Sequence, residues 1–155
     1  MYDKCVKLLE ERGVTLDDIV ELVMILQGKY HPEVLRDEVL LIVKGVIAKR
    51  EVQHAIVTGI LVDKVAESDF PMDDELRTIL LADYSLYGID EVLAYGICNL
   101  YGSIALTNFG YIDKVKPGIL ATINAHGKQC NVFLDDIVGA IAASAASKIA
   151  HTHGK

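Results

Sequence analysis

A run of 21 residues without one charged side chain constrains this chain more than any other feature. The run covers residues 92–112. A helix that is apolar on every side must be buried, in a protein core or in a membrane, and about 20 apolar residues can cross a bilayer. Because the run also contains asparagine, serine, threonine and three glycines, we expect a buried helix over residues 90–114 rather than a membrane span.

Length and composition favour one helical domain over residues 1–155. Hydrophobic residues make up 52% of the chain and aromatic residues only 6%, with no tryptophan. Alanine, leucine and other helix formers are frequent, and no segment alternates between apolar and polar residues for long enough to predict a strand. We therefore predict an all-α, single-domain bundle of about six helices, in which the uncharged helix is central and the others wrap around it.

Local signals place several helix ends. Gly13 is expected to stop the first helix, and Thr15 to open the second as an N-cap with Asp18 in the capping-box position. Pro32 lies where a third helix would begin. The last helix is predicted over residues 134–151.

The charge distribution excludes some partners. The formal net charge is −7, and no basic stripe with interleaved aromatic residues is present, so we expect no nucleic acid partner. The three cysteines have no metal-binding spacing and are odd in number, which is typical of reduced thiols in a cytoplasm. Charged residues appear within the first few positions, so no signal peptide is predicted.

A small set of charged residues stands out in the second half of the chain. The last 77 residues hold only six acidic side chains, and residues 111–140 supply three of them, Asp113, Asp135 and Asp136. Lys116 lies in the same stretch. Carboxylates are costly in apolar surroundings unless a cation or a hydrogen-bond donor meets them. The stretch is therefore either a metal site or a set of helix caps.

The simpler interpretation explains much of this pattern. Adjacent acids recur near predicted helix starts, where free N–H groups favour negative charge. Asp113 and Lys116 could form a surface ion pair of little energetic value. On a helix, Asp136 shares a face with Gly139 and Ala143, which predicts a closely packed seam. Such a seam between subunits would make the protein a homo-oligomer.

Two segments resemble a known family. Residues 109–120 read FGYIDKVKPGIL and residues 133–140 read FLDDIVGA, with His126-Gly127 between them. This order resembles the carboxy-terminal half of phosphatidylglycerophosphatase A, and Asp90-Glu91 is similar to an upstream Asp-Glu segment of that family. The resemblance covers roughly residues 89–148.

The resemblance implies Mg²⁺-dependent removal of the terminal phosphate from phosphatidylglycerophosphate. It implies that Asp113, Asp135 and Asp136 hold Mg²⁺, with Glu91 as a further ligand, and that Lys116 grips a phosphate oxygen. Asp136 and Lys116 are then the catalytic candidates. The expected partner is a phosphorylated small molecule or a lipid headgroup, and membrane contact is at most peripheral. The alternative is a non-catalytic relative that acts as an oligomeric binding or structural protein.

Helix length bears on the proposed ligands. In a single helix, Glu91 and Asp113 would lie about 33 Å apart and could not share an ion. Only a reversal near Tyr101-Gly102-Ser103 would bring them together. We therefore expect Asp113, Lys116, Asp135 and Asp136 to form the site, and rank Glu91 below them.

Overall fold

The chain forms an all-helical bundle, which confirms the predicted fold class. The structure, a computed structural model, describes residues 1–125, Gly127 and residues 129–153. Within these residues there are nine α-helices and one 3₁₀ helix, more than the six or so expected, and no strand. The α-helices are α1 Tyr2–Glu11, α2 Leu16–Gln27, α3 Arg36–Ile47, α4 Arg50–Ala66, α5 Asp74–Leu81, α6 Ile89–Cys98, α7 Ser103–Val115, α8 Ile119–Ile123 and α9 Val132–His153. His126 lies outside the described residues.

The helix ends predicted at Gly13 and Thr15 are confirmed, and the one predicted at Pro32 is not. Gly13 follows α1 with φ of +84°, a conformation that glycine adopts at little cost. Thr15 and Asp18 form the expected capping box, with each side chain accepting a hydrogen bond from the other's backbone N–H. The prediction that α3 begins at Pro32 was wrong, because the helix begins at Arg36.

The predicted long helix over residues 90–114 is two helices. α6 ends at Cys98, a 3₁₀ turn occupies Asn99–Tyr101, and α7 begins at Ser103. The break falls at Gly102, whose φ of +83° and ψ of −168° are accessible to glycine but strained for other residues. The uncharged run therefore folds back on itself, and neither half is the central helix.

The central helix is α9. Of its 22 residues, 17 are buried, and α6 and α7 both pack extensively along it, as do α2, α3 and α4. α4 approaches closely at Gly59, where a Cβ atom would clash with the side chains of Phe133 and Ile137. The lack of a side chain at Gly59 thus fixes how closely α4 can lie against α9.

The small-residue seam of α9 packs inside the chain. Ala140 and Ala143 are fully buried, and a Cβ atom on Gly139 would be in ordinary contact with Phe109 and Ile112 of α7 at 3.5–3.6 Å. The hypothesis that this seam lies between subunits was therefore wrong, because α7 already covers it.

The start of α9 is held by residues far away in sequence. Asp63 of α4 is fully buried and accepts hydrogen bonds from the backbone N–H groups of Phe133 and Leu134, at 3.1 and 3.0 Å. Arg12 donates to the carbonyl oxygen of Cys130 at 2.5 Å and pairs with Glu67 at 2.5 Å. These contacts fix the beginning of α9, on which the candidate site depends.

Two further properties are plain in the structure. Among the described residues, no helix is long and apolar enough to cross a membrane. The three cysteines form no disulfide, as predicted, and all three are buried.

Candidate metal centre

Five carboxylates from three helices meet at one end of the bundle. Oxygen atoms of Asp113, Asp135 and Asp136 lie within 4.8 Å of one another, and oxygen atoms of Asp90, Glu91 and Asp136 do so as well. Asp136 belongs to both groups. The expectation that Glu91 lies too far from the other carboxylates to share an ion with them was wrong, because the turn at Gly102 returns α7 towards the start of α6.

Lys116 lies among the first group of carboxylates. Its Nζ atom is 2.5 Å from Asp113 Oδ1 and 2.6 Å from Asp135 Oδ2, and it lies 3.9 Å from Asp136 Oδ1. The side chain is only 22% exposed. Lys116 and Asp113 are thus more than the surface ion pair considered from the sequence, because the ammonium group compensates buried charge on α9.

The backbone of Lys116 is unusual. The residue ends α7 with φ of +47°, a left-handed conformation that costs a residue with a side chain on the order of 1 kcal/mol. Its N–H donates to the carbonyl of Ile112 at 2.8 Å. Of the described residues other than glycine, Asp83 alone shares a positive φ. Backbone strain of this kind concentrates at functional sites.

The carboxylates carry more negative charge than one lysine can balance. Burial raises the pKa of Asp136 far above its ordinary value, and Asp135 and Asp113 raise it further. Burial also raises the pKa of Asp135 to about 6, although Lys116 opposes this change. For Lys116, burial lowers the pKa, but Asp135 and Asp113 outweigh burial and raise it overall. A second cation would relieve this repulsion.

Asp90 adds an unpaired oxygen to the site. Its side chain is buried, and Oδ1 has no hydrogen-bond partner within the part of the chain that the structure describes. Burial raises the pKa of Asp90 to about 6, and neighbouring Glu91 contributes in the same direction. Since buried polar atoms almost always have a partner, this oxygen fits a ligand position for a cation.

A cavity of about 30 Å³ adjoins the site at Asp135 and reaches the surface beside Asp83 and Asn124. By its volume it holds about two water-sized groups. Its polar lining comes from Asp83, Asn124, Gln129, Asn131 and Asp135. Water can therefore be accommodated beside Asp135. On the other side the site is open, because the side chain of Asp113 is 33% exposed.

The donor set matches a hard divalent cation. Every candidate ligand atom is a carboxylate oxygen, which suits Mg²⁺, Mn²⁺ or Ca²⁺ rather than metals that prefer thiolate or imidazole ligands. Asp136 is central, since it joins the ligands of α6 to those of α7 and α9.

Sequence reasoning missed two acidic residues around this site. Asp83 lies just beyond the C-terminus of α5, where its charge raises the pKa of Asp135. Asp63 holds the N-terminus of α9 from α4. Neither residue is near the resembling segments, and only its position within an apolar helical pattern could have drawn attention to Asp63.

The fold and the site together define an all-helical protein with a buried, acidic candidate metal centre. A family model described as phosphatidylglycerophosphatase A matches residues 18–151. The chain therefore belongs to the phosphatidylglycerophosphatase A family. The match extends well beyond residues 89–148, over which the resemblance was recognised.

The names of three similar proteins state no activity. The uncharacterized protein YutG of Bacillus subtilis (strain 168) is 56% identical over 144 residues, which cover 92% of this chain and 86% of YutG. A solved structure of low temperature requirement C protein from Listeria monocytogenes has a TM-score of 0.95 and 54% identity, and the match covers 99% of this chain and 97% of that one. A protein of unknown function from Bacillus stearothermophilus has a TM-score of 0.94 and 54% identity, with 98% and 94% covered.

Proposed function

We propose that this protein is a Mg²⁺-dependent phosphomonoester hydrolase whose reaction takes place at Asp90, Glu91, Asp113, Asp135 and Asp136. The observation that carries the proposal is the convergence of these carboxylates on Asp136 from three helices. Membership of the phosphatidylglycerophosphatase A family supports a phosphate ester as the substrate. Family membership makes phosphatidylglycerophosphate, with its terminal phosphate, the first substrate to test. We also propose a cytoplasmic location, in which the protein contacts a membrane at most peripherally.

The proposed role of each carboxylate follows from how deeply it is buried. Asp136 and Asp90 are buried and would hold the ion, while Asp113, which is a third exposed, would meet it from the open side. Mg²⁺ bound there would neutralise phosphate charge and activate a water molecule. Lys116 contacts Asp113 and Asp135 through an amine on a flexible side chain. It would turn towards the open side and donate a hydrogen bond to a phosphate oxygen.

The experiment is hydrolysis of a generic phosphomonoester and of phosphatidylglycerophosphate, with and without Mg²⁺. We expect metal-dependent release of phosphate. We also expect Asp136→Asn to lower the rate by at least about a hundredfold, since even mutation of residues that only hydrogen-bond to metal ligands lowers activity by about 10- to 100-fold. Asp17→Asn is the matched control, because Asp17 is exposed and, within the described part of the chain, forms an ion pair with Arg36 alone.

Two results would count against this function. An Asp136→Asn variant with an unchanged rate would remove the assigned site. A wild-type protein that hydrolyses neither substrate and binds no divalent cation would favour the alternative of a non-catalytic relative.

A further inference from the structure

The outer surface of α6 and α7 has an unusual composition. Residues 92–112 contribute 12 exposed residues, and none of them is charged. The same two helices pack on α9 through their inner faces, at Ala94, Ile97, Ala105 and Phe109. Both helices lie against α9 and against each other, and their exposed residues are here called the α6–α7 face. The face is bordered by α4, whose Glu51 lies beside Gly96, and by α2, whose Lys29 lies beside Tyr111.

The α6–α7 face is also apolar. Tyr95 of α6 packs edge-on against Phe109 of α7, with ring centroids 5.5 Å apart, so the two helices are joined across the face. Six exposed residues on it are large and apolar: Val92, Tyr95, Leu100, Ile104, Leu106 and Tyr111.

Two glycines on this face have no explanation within the chain. Gly96 and Gly110 lie inside α6 and α7, where glycine costs about 1 kcal/mol relative to alanine. A Cβ atom on either residue would meet none of the described residues within 4 Å, in contrast to Gly59 at the contact of α4 with α9. Because Gly96 and Gly110 lack side chains, another molecule could approach the backbone of both helices closely.

We propose that a second copy of this chain covers the α6–α7 face in a two-fold symmetric dimer. At a two-fold axis the same surface meets itself, so a charge near the axis would face its own copy. A face without charge avoids this repulsion, even though the whole chain carries a net charge of −7. Depletion of charge and enrichment of tyrosine are also typical of interface cores.

The area is sufficient for this contact. The six large residues are each between 36% and 62% exposed. At about 200 Å² for a fully exposed aromatic side chain, and less for the four aliphatic ones, they present on the order of 500 Å². The glycines and small polar residues between them bring the face near the roughly 800 Å² per partner of a standard interface.

A lipid bilayer fits this face less well. Helices that lie on membranes generally combine apolar residues with lysine and arginine, which attract anionic lipids. Residues 92–112 contain no basic residue, and the chain as a whole is acidic. The second copy is therefore the occupant that the charge distribution favours.

Analytical ultracentrifugation of the full chain tests the proposal. We expect the wild type to sediment at twice the 17.0 kDa chain mass. Leu106→Glu and Tyr111→Glu should each weaken the dimer at least about tenfold. Leu41→Glu is the control, because Leu41 is 69% exposed on α3, away from the face. Circular dichroism of each variant verifies folding, and Tyr111 is exposed enough for a charge to be tolerated.

Three outcomes would overturn the proposal. The first is a wild-type protein that remains monomeric at about 100 μM, a concentration well above the Kd of most specific complexes. The second is a dimer that both glutamate variants leave unchanged. The third is a monomer that floats with phosphatidylglycerol vesicles and loses this binding in Tyr111→Glu, since the face would then belong to a membrane. None of these measurements depends on phosphatase activity.

Discussion

At the scale of single residues, Lys116 and a metal ion require the same carboxylates. The ammonium of Lys116 lies within 2.6 Å of both Asp113 and Asp135, where an ion bound to these carboxylates would also have to lie. Binding of a cation therefore displaces or shares the place of this ammonium. Competition between Lys116 and a cation would distinguish a metal site from an ion-pair network that is purely structural.

The competition leads to a prediction for Lys116→Met. Without Mg²⁺ the variant should lose about 2 kcal/mol of stability, less than for a fully buried pair because Asp113 is partly exposed. Adding Mg²⁺ should stabilise the variant more than the wild type, because nothing then competes for the carboxylates. Urea unfolding with and without Mg²⁺ measures both effects.

Lys64→Met is the matched control for this prediction. Lys64 pairs with Glu11 at 2.8 Å, and both side chains are more than a third exposed. The control should change stability by less than about 1 kcal/mol and should respond to Mg²⁺ as the wild type does. Equal Mg²⁺ responses of Lys116→Met and the wild type would argue that the lysine and the metal do not share a site.

At the scale of helices, the start of α9 depends on a carboxylate from another helix. Helix N-termini leave N–H groups without partners. Among the described backbone N–H groups at the start of α9, Asp135 accepts a hydrogen bond from that of Asp136 alone, and its other oxygen accepts from Lys116. Asp63 of α4 instead accepts from Phe133 and Leu134. The simpler interpretation of the sequence was that Asp135 and Asp136 cap α9. Since Asp63 supplies most of this capping, both carboxylates are available to the site.

We predict that Asp63→Ala destabilises the fold by about 3 kcal/mol, since it leaves two buried N–H groups without an acceptor. Asp73→Ala is the control, because Asp73 caps α5 through Leu76 at an exposed position and should cost about 1 kcal/mol. Chemical denaturation measures both variants. A loss at Asp63 no larger than that at Asp73 would contradict the role given to Asp63.

At the scale of the whole molecule, the sequence predicted local structure better than arrangement. The helix starts and stops at Gly13 and Thr15 were readable because capping depends on nearby residues. The break at Gly102 could not be predicted, because one long helix and a pair of helices with the same uncharged composition have the same sequence pattern. This one error placed the wrong helix at the centre and separated Glu91 from the site.

The candidate site was recovered in part for a related reason. Asp113, Lys116, Asp135 and Asp136 stood out as charges in an uncharged background, and the structure brings them together. Asp63 and Asp83 could not be assigned, because their roles come from contacts with residues distant in sequence. The family match over residues 18–151 agrees with a site assembled from most of the chain.

Calorimetric titration with Mg²⁺ tests the central claim most directly. We predict that the wild type binds Mg²⁺ and releases protons at neutral pH, because the pKa values of Asp135 and Asp136 are raised in the metal-free protein and the ligands must lose their protons to bind. Affinity should therefore rise as the pH rises from about 6, the pKa of Asp135. Asp136→Asn should abolish binding, and Asp17→Asn should leave it unchanged. A wild type that binds no Mg²⁺, or an Asp136→Asn variant that binds it equally well, would contradict the account.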